Sequence, residues 1–193
     1  MTKPILATNI DDLLIKHEAF IEPHKAWFDR AVEKTGDKSL NQWKGKENYF
    51  LGVNKAMKKM MPESSETERT KQAREWYQED VIKYIKTHPE VIKKDVVEKL
   101  RKLKDKYSLA LITTNTKDHI DRIIGAANLQ NIYSVIIASS IDEEPEKSKL
   151  ISKLIENHGK PKYYLTGKEE PEIIKRFNEL GVKVIKVKDL PSI

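Results

Sequence analysis

Short, continuously apolar runs alternate with amphipathic helical stretches from His88 onward, and this alternation constrains the fold more than any other feature. Ser108-Leu109-Ala110-Leu111-Ile112-Thr113 is one such run, and Tyr133 to Ala138, Tyr163-Tyr164-Leu165 and Val182 to Val187 repeat it. Between them, Val96 to Lys106, Asp118 to Asn128, Lys147 to His158 and Glu170 to Leu180 carry helical spacing. Runs without polar alternation suit strands buried on both faces, and helices between such strands make parallel βαβ units. Ile5-Leu6-Ala7-Thr8 adds a strand near the start. The expected architecture is α/β, a parallel sheet with helices on both faces.

The stretch from Lys16 to Glu90 reads differently, as a helical insertion after the first strand. Phe20, Trp27, Phe28, Ala31 and Val32 form an apolar stripe broken by Pro23, and Thr35-Gly36-Asp37 ends it. Trp43 to Met61 is a second helical piece, with Tyr49, Phe50, Val53, Ala56 and Met57 on its inward face. Pro62 to Ser65 is a break, and Ser64 or Ser65 can cap a third helix reaching about Lys86. Met and aromatic residues at this spacing read as packing between helices rather than as a cofactor box. The expected domains are residues 1–15 with 91–193 as the core, and 16–90 as the helical insertion.

Composition removes several function classes. The chain has no Cys, which excludes disulfides, thiolate zinc sites and cysteine nucleophiles. His17, His24, His88, His119 and His158 show no metal-ligand spacing. No apolar stretch approaches the ~20 residues that span a bilayer, and the start lacks a signal-peptide layout, so a cytoplasmic location is expected. The net charge of +6 comes from Lys mixed with Glu along helices, as in Glu98-Lys99-Leu100-Arg101. Interspersed signs mark solvated helix faces, so neither nucleic acid nor a membrane is an expected partner.

Parallel topology gathers the loops that follow the strands at one edge of the sheet, where ligands bind in open α/β folds. Those loops carry Asn9 and Asp11, then Thr114-Asn115, then Asp142 to Lys147, then Gly167-Lys168 with Glu172 behind. Carboxylate, hydroxyl, amide and ammonium groups converging there suggest recognition of an oxyanion. Each residue also has a plainer role open to it. Asp11 and Asp12 could cap a following helix, Thr114 and Asn115 could satisfy loop backbone, Lys147 could be one more solvated Lys, and Lys168 beside Gly167 could be an ordinary turn residue.

The order of these motifs resembles the haloacid dehalogenase-like hydrolase superfamily, whose members join a Rossmann-like core to a helical cap inserted after the first strand. In that family the first loop reads Asp-x-Asp, its leading Asp being the nucleophile and the second the acid/base. The resemblance puts Asn9 at the nucleophile position, Asp11 at the acid/base position and Leu13 where Thr is usual. It makes Thr114, in Leu111-Ile112-Thr113-Thr114-Asn115, the binder of the phosphoryl group, and Lys147 the third-motif lysine, with Lys149 as the alternative. The family's magnesium-holding Gly-Asp, with an acid some four residues on, falls on Gly167-Lys168 and Glu172.

The departures carry the functional expectation. An amide at Asn9 cannot form the covalent aspartyl intermediate. Lys168 adds a positive charge where a metal ligand is needed, so it is expected to stand in for magnesium and pair with Asp11 or Glu172. The expected protein is a degenerate family member acting in binding or regulation, with no cofactor. Its expected partners are phosphate or another small anion at Thr114, Asn115, Lys147, Gly167 and Lys168, and a protein partner or second copy. The alternative is an active hydrolase, phosphatase or dehalogenase-like, using Asp11 and holding magnesium through Asp11 and Glu172. Sliding the register so that Asp11 attacks would put Leu13 at the acid/base position and carry the site past the strand end.

Overall fold

A computed structural model describes residues 3–46, 49–141 and 146–192. The chain divides into two compact units, one formed by residues up to Lys16 together with those from Pro89 onward, the other by His17–His88.

The first unit is built on five parallel strands in the order β3-β2-β1-β4-β5. They are β1 (Ile5–Thr8), β2 (Ser108–Thr116), β3 (Val135–Ser139), β4 (Tyr163–Thr166) and β5 (Lys183–Lys186). In chain order the helices of this unit are α4 (Lys94–Leu103), α5 (Lys117–Ala126), α6 (Lys147–His158) and α7 (Pro171–Glu179). Side chains alternate across a strand. Ala7, Ala110, Ile112, Ile137 and Tyr164 therefore share a face, where they pack with Leu150, Ile151 and Leu154 of α6 and Phe177 of α7. The alternate residues Leu6, Thr8, Leu109, Leu111 and Leu165 are buried as well. Burial on both faces is the physical reason the strands read as unbroken apolar runs.

Two strand ends differ from the sequence reading. β2 runs on through Thr116, because Thr116 pairs with Ser139 after a register shift beyond Thr113. β3 starts at Val135 rather than Tyr133.

The second unit holds α1 (Glu18–Thr35), α2 (Phe50–Met60) and α3 (Glu66–Thr87), which enclose Trp27, Phe28, Leu40, Ala56, Met57 and Ala73. Pro23 does not break α1; the helix continues through it to a left-handed Gly36 at φ 70°. Trp43 to Met61 is not one helix. A 3-10 turn ends at Trp43, Gly45 takes φ 68°, and α2 begins only at Phe50. Ser65, rather than Ser64, caps α3 through a reciprocal box with Glu68.

Asp37 gives this unit a pH signature. Its carboxylate caps a 3-10 turn through the Ser39 N–H, and Lys59 and Lys55 reach it at 2.8 and 3.2 Å. The Lys59 ammonium, then Ser39 and Lys55, hold its pKa well below the usual carboxylate range. A lowered folded-state pKa means stability that is complete above the unfolded value of ~4 and lost as pH falls below it. Melting curves from pH 7 to 3 should therefore show Asp37→Asn less stable than the parent at neutral pH, with the gap closing in acid.

Candidate functional site

The chain moves outward one way through β1, β2 and β3, then returns to place β4 and β5 on the other side of β1. The strand order thus reverses between β1 and β4, and open α/β sheets bind ligands at such a switch point. The loops leaving these two strands carry Asn9 to Asp12 and Gly167 to Glu170.

Asn9 follows β1 and is only 3% exposed. Its Nδ2 donates to the Asp11 carbonyl at 2.9 Å and to Glu170 Oε2 at 3.4 Å, and its Oδ1 accepts from the Gly167 N–H at 3.4 Å. The amide is therefore spanning the two loops. Beyond it the backbone N–H groups of Leu13, Leu14 and Ile15 all turn back to the Ile10 carbonyl, at 3.2, 3.0 and 3.3 Å. No helix starts until Glu18, so Asp11 and Asp12 do not act as helix caps. Asp12 sits at φ 55°, and Lys93 steadies it by donating to both its carbonyl (2.6 Å) and Oδ1 (2.7 Å).

The β4 loop approaches this turn so closely that it admits no side chain at Gly167. A Cβ there would lie 2.0 Å from the Asp12 carbonyl oxygen. The close approach brings Lys168 Nζ to within 2.6 Å of Asp11 Oδ2. Lys168 keeps 35% of its side chain exposed and Asp11 21%. Of the two partners expected for Lys168, the structure supplies Asp11.

Glu170, rather than Glu172, completes the cluster. Pro171 opens α7, which leaves Glu170 on the loop just before the helix and turns Glu172 outward in its first turn, exposed to solvent. There Glu172 suits the helix dipole and makes no side-chain hydrogen bond or ion pair among the described residues. The Glu170 carboxylate receives Lys147 Nζ at 2.7 and 2.9 Å and the Tyr164 hydroxyl at 3.1 Å, besides the Asn9 amide. The Thr166 hydroxyl spends its proton on the Lys168 carbonyl at 2.9 Å.

Lys147 stands at the start of α6 with 14% of its side chain exposed, and its partner Glu170 is equally enclosed at 15%. Burial pulls the Lys147 pKa down, and the Glu170 carboxylate works against that shift. Lys149 points elsewhere: it is 77% exposed and pairs with Glu146 at 2.7 Å. The Tyr164 hydroxyl is pushed well above its usual pKa by burial and by Glu170, so it remains a donor.

Thr114 and Asn115 lie in the irregular end of β2. Asn115 is tied locally, its Nδ2 donating to Thr113 Oγ1 at 3.1 Å and its Oδ1 lying 3.0 Å from His119 Nδ1. Thr114 is half-buried and makes no side-chain hydrogen bond among the described residues. From the third loop, Asp142 to Pro145 lie outside the described residues.

Glu170, Tyr164 and Lys93 were not expected at the site from the sequence, and Asp12 was read only as a possible helix cap. The signal for Glu170 was Pro171, which favours the first helical position and so marks the residue before it as loop. Tyr164 shares strand parity with Thr166 and Ala7, which aims it along the face that Asn9 extends.

A parallel sheet with a switch point after β1 and a helical insertion between β1 and α4 defines a class of Rossmann-like α/β fold. The model of the haloacid dehalogenase-like hydrolase family matches residues 10–163, and the chain belongs to that family. No curated protein matches the sequence. Among solved structures, a haloacid dehalogenase-like hydrolase from Streptococcus pneumoniae superimposes with a TM-score of 0.62 at 14% identity, covering 94% of this chain and 83% of that one. A predicted phosphatase from Clostridium acetobutylicum gives 0.57 at 16% identity, with full coverage of both chains. A protein described as a HAD-hydrolase from Bacillus subtilis, bound to magnesium, gives 0.59 at 12% identity, covering 95% of this chain and 88% of that one. At these identities the likeness is one of fold.

Proposed function

We propose that this protein is a family member that has given up turnover and uses its strand-end site for binding or regulation. The observation that carries the reading is the 2.6 Å pair between Lys168 and Asp11, set beside an amide at Asn9. An amide offers no carboxylate to attack phosphorus or carbon. Magnesium takes oxygen ligands at ~2.0–2.1 Å in near-octahedral geometry. Here Asp11 already faces an ammonium, and Glu170 faces another at 2.7 Å. Among the described residues no three His, Cys, Asp or Glu gather as a metal site. This donor set does not suit magnesium, and Lys168 serves as the resident cation.

The ligand in this reading is phosphate or another small anion, met by Thr114 and Lys147 with Asn115, Gly167 and Lys168 around them. A protein partner or a second copy would convey its binding. No described helix is long and apolar enough to cross a membrane, and the proposed location is the cytoplasm. Family membership favours the competing reading, an active phosphatase or dehalogenase-like hydrolase working through Asp11 with magnesium.

One experiment separates them. Purified protein is assayed on a phosphoester panel with and without millimolar magnesium, and melting temperature is followed in parallel. Turnover at the level of a protein-free blank, and no magnesium-dependent shift, is expected. Metal-stimulated cleavage that Asp11→Ala abolishes would establish the hydrolase instead.

A further inference from the structure

Lys147, Tyr164 and the Asn9 amide are committed to one and the same group, while Lys168 is held by Asp11. The Glu170 carboxylate takes Lys147 at 2.7 and 2.9 Å, Tyr164 at 3.1 Å and the Asn9 amide at 3.4 Å. Three side chains from three separate elements thus aim at one carboxylate, an arrangement that oxyanion sites use for their ligands. We infer that Glu170 is a tethered occupant of the anion site, a carboxylate holding the place of an incoming oxyanion such as phosphate. The inference rests on the metal-free reading of the site above and names how that site is controlled.

Only the side chain need move for Glu170 to leave: the residue stands just before α7 at φ −134° and ψ 77°, its carbonyl accepting from the Ile174 N–H at 2.9 Å. Its rotation outward would free Lys147, Tyr164 and one Asn9 proton together, while Lys168 would keep Asp11 neutralised. Thr114 supplies a hydroxyl with no other commitment among the described residues. A ligand tethered on a short loop competes at an effective concentration on the order of millimolar or above. It would therefore mask a phosphate affinity in the millimolar range.

The test is titration with inorganic phosphate, without metal, by calorimetry. Glu170→Gln should bind phosphate at least tenfold more tightly than the parent. The Lys147→Gln/Glu170→Gln double variant, which removes both charges at nearly constant volume, should fold and lose that gain. Equal affinity in parent and Glu170→Gln would overturn the inference, as would a folded Glu170→Gln that does not bind, or a double variant that binds as well as the single one. Should Glu170→Gln fail to fold by circular dichroism, Glu170→Ala is judged by the same criteria. Inorganic phosphate cannot be turned over, so failure here leaves the loss of turnover standing, while metal-stimulated cleavage in the phosphoester screen would strike that reading and, with it, the metal-free site on which the inference rests.

Discussion

A Lys147→Met variant should lose about 3 kcal/mol of unfolding free energy, read by urea denaturation at pH 7. The cost comes from the partner left behind. Removing the ammonium strands the Glu170 carboxylate, 15% exposed, with only the neutral donors Tyr164 and Asn9. Breaking an enclosed ion pair costs more than the pair was worth, because the desolvated charge remains. Lys168→Met is the internal control. Its side chain is 35% exposed, so water can replace it at Asp11, and the loss should stay near or below ~1 kcal/mol. Restoring neutrality with Glu170→Gln should recover much of what Lys147→Met loses. Equal losses for the two lysine variants would mean that enclosure does not distinguish the pairs.

Gly167→Ala should be the most damaging small substitution in the sheet unit. The added methyl would meet the Asp12 carbonyl oxygen at 2.0 Å, its carbon at 2.1 Å and the Leu13 nitrogen at 2.3 Å. All three are backbone atoms in a turn already pinned at φ 55° by hydrogen bonds, so none can swing aside as a side-chain tip would. Relief requires the β1 and β4 loops to separate, which also parts Lys168 from Asp11. The expected loss is about 3 kcal/mol, or roughly 6–12 °C in melting temperature for a chain of this size. Gly125→Ala calibrates the measurement. It lies within α5 with nothing inside 4 Å, and it should be neutral or gain up to ~1 kcal/mol from helix propensity.

The fold was legible because parallel strands buried on both faces must be written as unbroken apolar runs, and this chain writes them plainly. The ends of elements were less so. β2 outlasted its apolar run because Thr116 found a partner in Ser139 across the sheet, a contact no local pattern announces. Pro23 looked like a break yet sits inside α1, where tertiary packing around Phe20, Trp27 and Phe28 outweighs one missing N–H. The gathering of Asn9, Asp11, Lys147 and Lys168 at one sheet edge follows from topology once the strands are found. Which acid joins them does not. Glu172 stood at the family spacing, and Pro171 placed it in the exposed first turn by starting the helix one residue later than the pattern suggested, which left Glu170 before the helix. Side-chain pairing of this kind depends on backbone direction at a helix start, and spacing alone does not encode it.

The position of β1 has a consequence for how the molecule comes into being. This first strand lies at the centre of the sheet, and its nearest partner in sequence, Ser108 opposite Ile5, is synthesised roughly a hundred residues later. Until then β1 waits with both hydrogen-bonding edges open, while residues 17–88 can collapse on their own buried core. On the ribosome the inserted helices are therefore complete before β1 meets either partner, and β1 cannot be paired on both edges until Leu165 has been made.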